Sequence, residues 1–440
     1  MPFTEDTQIE ALLHAEIPRE TVNLQAWALG AVRRLRKIDV YALVVTVVLA
    51  VTTRGENSLA NLHRAFQLRS GARLARSTFW NRFTPAFAQL VRSVLDDIVG
   101  RSVEHRPALP PAFSFFCDVV VLDATVMKVE DGLSALWRGC RTNSARAAIK
   151  VHTIIRAFSA ELLKYRITAE AFYDGSAFGT GPWMRGILFL FDQGYASPSF
   201  WARIHRQGGY FLSRLPSDRD PMITRDNRRH RGRARKTKGR RLRTVLRGMK
   251  RTLIDVQADF RVHIRKYRTP NGHDEQEEFR IVGVLNRKNG DYHLYVTNAP
   301  PEALAAEVVR DAYRLRWEVE LFYKAGKSGA AMHELPSSQP HIVRTLVYAA
   351  LIRTTLTMKA MNSARGALPL GVWINPIAWQ KLWNQILAEA LDALLAPISP
   401  RSLTWTDLCT LAADPNRRRR PTRVSFTTPP YASNNHVLSA

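Results

Sequence analysis

The residues with the clearest chemical potential lie in "DAYRLRWEVELFYKAGKSG", 311–329. Tyr313, Arg316, Glu320 and Lys327 are offset by three, seven and fourteen from the first of them. On a helix that turns about 100° per residue they fall near 0°, 300°, 340° and 320°, so all four share a narrow arc. Leu315, Val319 and Phe322 fall on a neighbouring apolar face near 180–240°. The stripe carries an acid, two bases and a phenol. An ordinary amphipathic helix with a solvated charged face would look the same in isolation.

Two further acids stand at the ends of apolar runs, Asp123 after "VVVL" and Asp192 after "ILFLF". An unpaired charge inside a sheet costs several kcal/mol, roughly. At the end of a central strand, however, a carboxylate projects from a rigid backbone. Asp123, Asp192 and Glu320 could together hold two Mg²⁺ ions, or Mn²⁺, about 3.5–4 Å apart. Such a pair clamps an in-line displacement at phosphorus. The plain alternative for each aspartate is a turn cap, since Ala-Thr or Gln-Gly follows. Asp118 faces away from Asp123 on a continuous strand, and Asp174, in "FYDGS", has a turn context. HExxH, GxGxxG after a strand, GxxxxGK[ST] and GxSxG are absent from the sequence, and its 12 histidines are scattered.

The elements that would position these groups can be read along the chain. Residues 1–105 have helical texture, including the apolar run "VYALVVTVVLAVTT" at 40–53, too short to span a bilayer and expected as a buried core helix. Ser58 is expected to cap a helix to about Phe66, Gly71 to mark a turn, and Ser77 to cap the next helix. With Arg69, Arg73, Arg76 and Arg82 nearby, this resembles a helix-turn-helix, or else a plain helical subdomain. After the proline-rich "EHRPALPPAF", strands are expected in "FSFFCDVVVLDAT", 147–158, 162–172, 186–195 and "GGYFLSRL", with a helix in "PSFWARIHRQ". Further strands are expected at 260–268, 277–287 and 291–299, and helices from His341 to about Ala396. The domain division is 1–105 helical and DNA-binding, 106–217 first part of an α/β core, 218–300 basic and β-rich insertion, 301–365 second part of the core, 366–413 C-terminal helices and 414–440 a loose basic tail.

Composition points to the partner. There are 64 Lys+Arg against 38 Asp+Glu, net +26, and residues 225–251 alone hold 14 basic residues and one acid. Such an excess suits a polyanion, and Arg231, Arg233, Arg235 and Lys236 are candidate DNA-phosphate contacts. A solvated basic loop is the alternative. Three cysteines without metal-ligand spacing fit a reducing cytoplasm. The acidic, polar start "MPFTEDTQIE" is unlike a signal peptide. A cytoplasmic, nucleoid-associated bacterial protein without a membrane partner is expected.

The pattern Tyr313-x2-Arg316-x3-Glu320-x6-Lys327 resembles the Y-R-E-K signature of DDE transposases of insertion-sequence family four. "LDAT" and "FDQGY" resemble that family's first and second acid motifs, although Gln193 stands where Arg more often follows. "IKVH", "YFLSRL" and "YVTNAP" also look familial, and the likeness covers about residues 58–360. The resemblance implies an RNase-H-like mixed sheet with flanking helices, a β-rich insertion before the catalytic helix and an N-terminal all-helical domain. It implies Asp123, Asp192 and Glu320 as catalytic metal ligands, with Tyr313, Arg316 and Lys327 on DNA phosphates. Trp317, about 40° from Tyr313, would then stack on a base flipped out of a hairpin end, or else pack internally. The activity implied is cut-and-paste transposition on double-stranded DNA, at transposon ends and a target, with a homodimer pairing two ends. A non-catalytic DNA-binding protein that kept the fold is the alternative, and a host nuclease without strand transfer is a third.

Overall fold

The computed structural model describes residues 6–34, 38–50, 58–106, 108–140, 146–230, 233–234, 237–247, 249, 251–264, 273–329, 334–335, 337–366 and 376–395. Arg231, Arg235, Lys236 and the tail from Asp414 lie outside them. All the described residues belong to one compact unit, Met1–Ser399.

The chain opens with six helices: α1 (Asp6–Glu16), α2 (Arg19–Ala28), α3 (Val40–Leu49), α4 (Leu59–Ser70), α5 (Arg76–Trp80) and α6 (Pro85–Glu104). α3 is apolar on every side and Tyr41 through Leu49 are all buried, as a helix in the middle of a core must be. The Ser58 hydroxyl accepts the Asn61 N–H at 3.2 Å and starts α4. Gly71, at φ 64°, ends it in the left-handed conformation that glycine adopts without strain. α4 therefore runs past the expected end at Phe66. Ser77 does not cap the next helix. It sits inside α5, whose cap position is Ala75, without a side-chain bond. The next side-chain cap is Thr84, which accepts the Phe87 N–H at 3.2 Å at the start of α6.

The core strands are β1 (Asp118–Val129), β2 (Ala148–Arg156), β3 (Leu162–Ala169), β4 (Ile187–Phe191) and, after α7 (Pro198–Arg206), β5 (Tyr210–Arg214). Their spatial order is β3-β2-β1-β4-β5. β1, β2 and β3 form an antiparallel meander, while β4 and β5 run parallel to β1. This is the strand order of an RNase-H-like core. The pleat assigns the faces. Val119, Val121, Leu188 and Leu190 enter one hydrophobic core with the helices. Val120, Leu122, Phe189 and Phe191 enter a second core with Trp201 and Ile204 of α7.

Downstream come β6 (Met222–Asp226), β7 (Arg229–His230), β8 (Arg233–Ala234), α8 (Leu242–Arg247), β9 (Leu253–Ile264), β10 (His273–Leu285) and β11 (Tyr292–Thr297). The strands expected at 260–268 and 277–287 start earlier than their apolar stretches, as the paired arms of a hairpin in which Ile264 faces His273. β11, β10, β9 and β6 continue the same sheet beyond β5. Then follow α9 (Val309–Arg314), α10 (Trp317–Gly329), β12 (Glu334–Leu335), α11 (Pro340–Gly366) and α12 (Pro376–Leu395). α11 packs on α6 and α3, and α10 packs on β1, α11 and α12. Among the described residues no helix is long and apolar enough to cross a membrane.

Two buried ion pairs brace the sheet. Asp118 accepts from Arg156 at 2.9 Å, which removes Asp118 from the candidate acids. In the outer strands, Arg280 Nη2 donates to Asp255 at 2.7 Å. Arg280 Nη1 donates to the Ala299 and Leu304 carbonyls, at 3.1 and 2.7 Å, in the segment that leads to α9. Removing one member of such a pair strands the other charge in the interior. Arg280→Ala is expected to lower the unfolding free energy by roughly 3–5 kcal/mol in urea titrations, and an Arg280→Met, Asp255→Leu double variant to recover much of that loss.

Candidate active site

β1 and β4 are in parallel register with Leu122 opposite Phe191, so the next residues, Asp123 and Asp192, stand side by side. Both continue the face on which Val121 and Leu190 point toward the helices. Asp192 keeps the turn-capping role that its following residues suggested: it stands just past the end of β4, and its Oδ1 accepts the Gly194 N–H at 2.9 Å. Asp123 does not end its strand as expected, because β1 continues to Val129 in register with β2. Its Oδ1 accepts the Ala124 N–H at 2.8 Å within the strand. In both, one carboxylate oxygen meets the backbone and the sheet aims the group.

The helix opposite is not the continuous one expected over 311–329. It breaks between α9 and α10, where Arg316 N–H donates to Tyr313 O and Glu318 N–H to Leu315 O, at 3.1 and 3.0 Å. These i→i+3 bonds tighten one turn and shift the angular phase between Tyr313 and Glu320. Tyr313, Arg316 and Glu320 still meet. Arg316 Nη2 donates to Glu320 Oε1 at 2.6 Å and its guanidinium carbon lies 5.9 Å from the Tyr313 ring centroid. Tyr313 also leans on Tyr295, with centroids 5.3 Å apart. Lys327 lies two turns further along α10, half-buried. Trp317 is 49% exposed, with Lys324 Nζ 4.5 Å from its ring centroid. That exposure disfavours the packing alternative for Trp317.

The electrostatics bind these groups into one site. Burial pushes the Asp123 carboxyl up to about 7. The Ala124 N–H and Arg316 oppose this rise, while the charges of Asp192 and Glu320 add to it. Burial likewise raises the Tyr313 phenol to about 12, with Arg316 lowering it and Asp192 raising it. The three acids, far apart in sequence, are therefore within electrostatic reach of one another. As they stand, no three His, Cys, Asp or Glu among the described residues are grouped closely enough to hold a metal ion. Glu320 is instead turned onto Arg316. The donor set nevertheless fits a divalent cation. It consists of hard carboxylate oxygens, one with its proton affinity raised mainly by burial and further by neighbouring like charge, and one already drawn to a cationic side chain.

Further residues join the site that their sequence context had placed lower or left out. Asp174, expected as a plain turn, accepts from Lys150 Nζ at 3.0 Å and lies 3.6 Å from His152 Nδ1. A Cβ added to Gly194 would lie 3.1 Å from Asp192 Oδ1 and 3.6 Å from Asp174 Oδ2, so both carboxylates flank that glycine. Lys150 and His152 belong to "IKVH", and their alternate spacing on β2 was the available signal. His152 is buried, with Nε2 2.9 Å from the Thr168 hydroxyl, and burial lowers it to about 4, with Asp174 acting against the shift. On the expected basic stretch, Arg233 lies in β8, paired with β7.

A family model described as a transposase DDE domain matches residues 115–356, more than half of the chain, and the chain belongs to that family. It is 22% identical over 386 residues to the transposase for insertion sequence element IS231D of Bacillus thuringiensis subsp. finitimus, a match covering 82% of this chain and 80% of that protein. It is 29% identical over 83 residues to the putative transposase InsL of element IS186A of Escherichia coli K12, covering 19% of this chain and 22% of that one. Among solved structures, the piggyBac transposase synaptic complex with hairpin DNA aligns with a TM-score of 0.46 at 10% identity, over 97% of this chain and 87% of that one.

The buried Asp123 carboxyl gives a stability test. The fold holds its proton up to about 7, whereas the free carboxyl releases it near 3.8. Folding is therefore penalised progressively as pH rises through that window, and the full penalty persists above it. At pH 8 without metal, Asp123→Asn is expected to be more stable than wild type by ~2–4 kcal/mol. The gap should close near pH 4, and a thermal-denaturation series in EDTA measures both ends.

Proposed function

We propose that this protein is a cut-and-paste transposase that binds the terminal inverted repeats of a mobile element, cleaves DNA strands there and joins the freed 3′-hydroxyl to a target. The observation that supports this most directly is the placement of Asp123 beside Asp192 on paired strands, with Asp192 and Glu320 both within electrostatic reach of Asp123, in a chain of this family. Divalent cations, Mg²⁺ or Mn²⁺, held by these three carboxylates would activate the attacking oxygen and neutralise charge on the leaving one.

The chain's own residues do the rest. In cleavage, a water oxygen bonds to phosphorus as the P–O3′ bond breaks, leaving a 3′-hydroxyl and a 5′-phosphate. In joining, that hydroxyl attacks a target phosphodiester and displaces its 3′ oxygen. Arg316 presents a planar fork to two phosphate oxygens once it leaves Glu320. Tyr313 stays protonated at neutral pH, since its phenol is raised to about 12, and can donate to a phosphate oxygen. Lys327 adds a point charge further along the strand. Trp317, with half its surface open to solvent, stacks on an unpaired base at a hairpin end, a contact worth roughly 1–3 kcal/mol. The basic stretch with Arg231, Arg233, Arg235 and Lys236 follows the phosphate backbone, and two protomers pair the two ends.

Asp192→Asn is expected to abolish strand cleavage of DNA carrying the element's ends while leaving end binding within about twofold. Cleavage by that variant at the wild-type rate would remove Asp192 from the reaction. If six to ten phosphates are neutralised, end affinity should fall by about 10³–10⁵ between 50 and 200 mM salt in a binding titration. A protein that binds ends with this salt dependence, yet does not cut at any Mg²⁺ or Mn²⁺ concentration, would be the non-catalytic DNA-binding form.

A further inference from the structure

The buried face of α10 holds a polar group that the proposed chemistry does not use. Tyr323 lies one turn after Glu320 and is 6% exposed. Its hydroxyl is 2.7 Å from Thr153 Oγ1, 3.0 Å from the Asp123 carbonyl oxygen and 3.3 Å from that of Val151. Both carbonyls can only accept. The single phenolic proton therefore goes to one of them, and the Thr153 hydroxyl donates to Tyr323. Asp123 and Thr153 face each other across the β1–β2 ladder. The phenol thus rests on the one strand pair from which the Asp123 carboxylate projects.

This arrangement exceeds what packing requires. Phe322, the residue before it, fills the same core with a plain ring. A buried hydroxyl without a partner destabilises the fold, so its presence matters through the bonds it makes. Those bonds have direction and length, whereas apolar contacts around α10 would tolerate sliding or rotation of the helix. Residues three apart lie on one helix face, so fixing Tyr323 to the Asp123 backbone also fixes where Glu320 stands relative to Asp123. Carboxylates that must grip a common centre need placement to about 0.5 Å.

We propose that Tyr323 is a positioning residue that registers the catalytic helix on β1, setting the separation of Glu320 and Asp123 for joint cation binding. This rests on the reading of those acids as metal ligands.

The test uses the full-length protein with Tyr323→Phe, and with Thr153→Val as a second route to the same bond should the first variant fold poorly. Phe322→Leu serves as a packing control on the same turn. Three quantities are measured: melting temperature in EDTA, the Mg²⁺ concentration that gives half of the metal-induced rise in melting temperature, and the single-turnover cleavage rate with end-DNA affinity. Tyr323→Phe and Thr153→Val are expected to raise the half-saturating Mg²⁺ at least fivefold and slow cleavage at least tenfold, with end affinity within twofold. Phe322→Leu is expected to lower the melting temperature in EDTA without moving the Mg²⁺ midpoint. Wild-type Mg²⁺ midpoints in both hydroxyl variants would overturn the positioning role while leaving the three-acid site intact. A Mg²⁺ midpoint that shifts equally in Phe322→Leu would reduce Tyr323 to general packing and also overturn it. A wild-type protein with no Mg²⁺ response would overturn the site reading itself.

Discussion

Parallel pairing of β1 and β4 governs the rest of this molecule. Once Leu122 sits opposite Phe191, β4 ends while β1 runs on to Val129, and the next residue on each chain stands at the same level and on the same face. Asp123 and Asp192 are therefore brought together by backbone geometry before any side chain chooses a rotamer. Two acids so placed repel, and the half-buried setting of Asp123 sharpens the repulsion. The fold bears this cost beside the end of β4 and offsets it elsewhere, in the apolar faces on both sides of the sheet. Unfavourable charge kept at one rigid place is what a cation-dependent site needs.

The third acid reaches this pair from a helix whose seat is set by both halves of the sheet. β10 and β9 are remote from Asp123 in strand order. Yet Arg280 on β10 is bonded to the carbonyls of Ala299 and Leu304, in the segment that feeds α9 and α10. At the other end of the linkage, Tyr323 bonds to β1. The outer strands thus do more than carry a basic stretch. They hold the entry to α9 and α10, and α10 is held again where it crosses the core.

Much of this was legible in the sequence because the signals were local and periodic. The hairpin of β2 and β3, the buried strand β4 and the apolar α3 follow from two-residue alternation or continuous hydrophobic runs. Ser58 and Gly71 mark the ends of α4 by their own chemistry. Long-range competition decided the rest. Ser77 is a good cap in isolation, but the backbone enters α5 one residue earlier, at Arg76. The spacing of Tyr313, Arg316 and Glu320 fits one ideal helix, but the turn at Leu315–Arg316 tightens as α9 passes into α10. Asp174 looked like a turn residue and is one. Its proximity to Asp192 comes from two loops folding over the same sheet end, which no local pattern encodes. The start of β9, residues 253–259, and the start of β10, residues 273–276, were missed because their pairing supplies the order that their polar residues do not advertise.

In the proposed mechanism, Arg316 links the resting arrangement to the working one. Glu320 is half-buried, and the guanidinium four residues earlier pairs with it at 2.6 Å. The same guanidinium is the group best shaped to receive a phosphate. It cannot serve both partners fully, so the arrival of a phosphodiester weakens its hold on Glu320 just where a cation can replace it. Conversely, a cation on Glu320 frees Arg316 for the phosphate. Binding of DNA and of metal should therefore favour each other through one side chain, since each supplies the charge that the other displaces. The break between α9 and α10 falls at Arg316 itself, which places this exchange at the one point of the helix pair where the backbone departs from regular geometry.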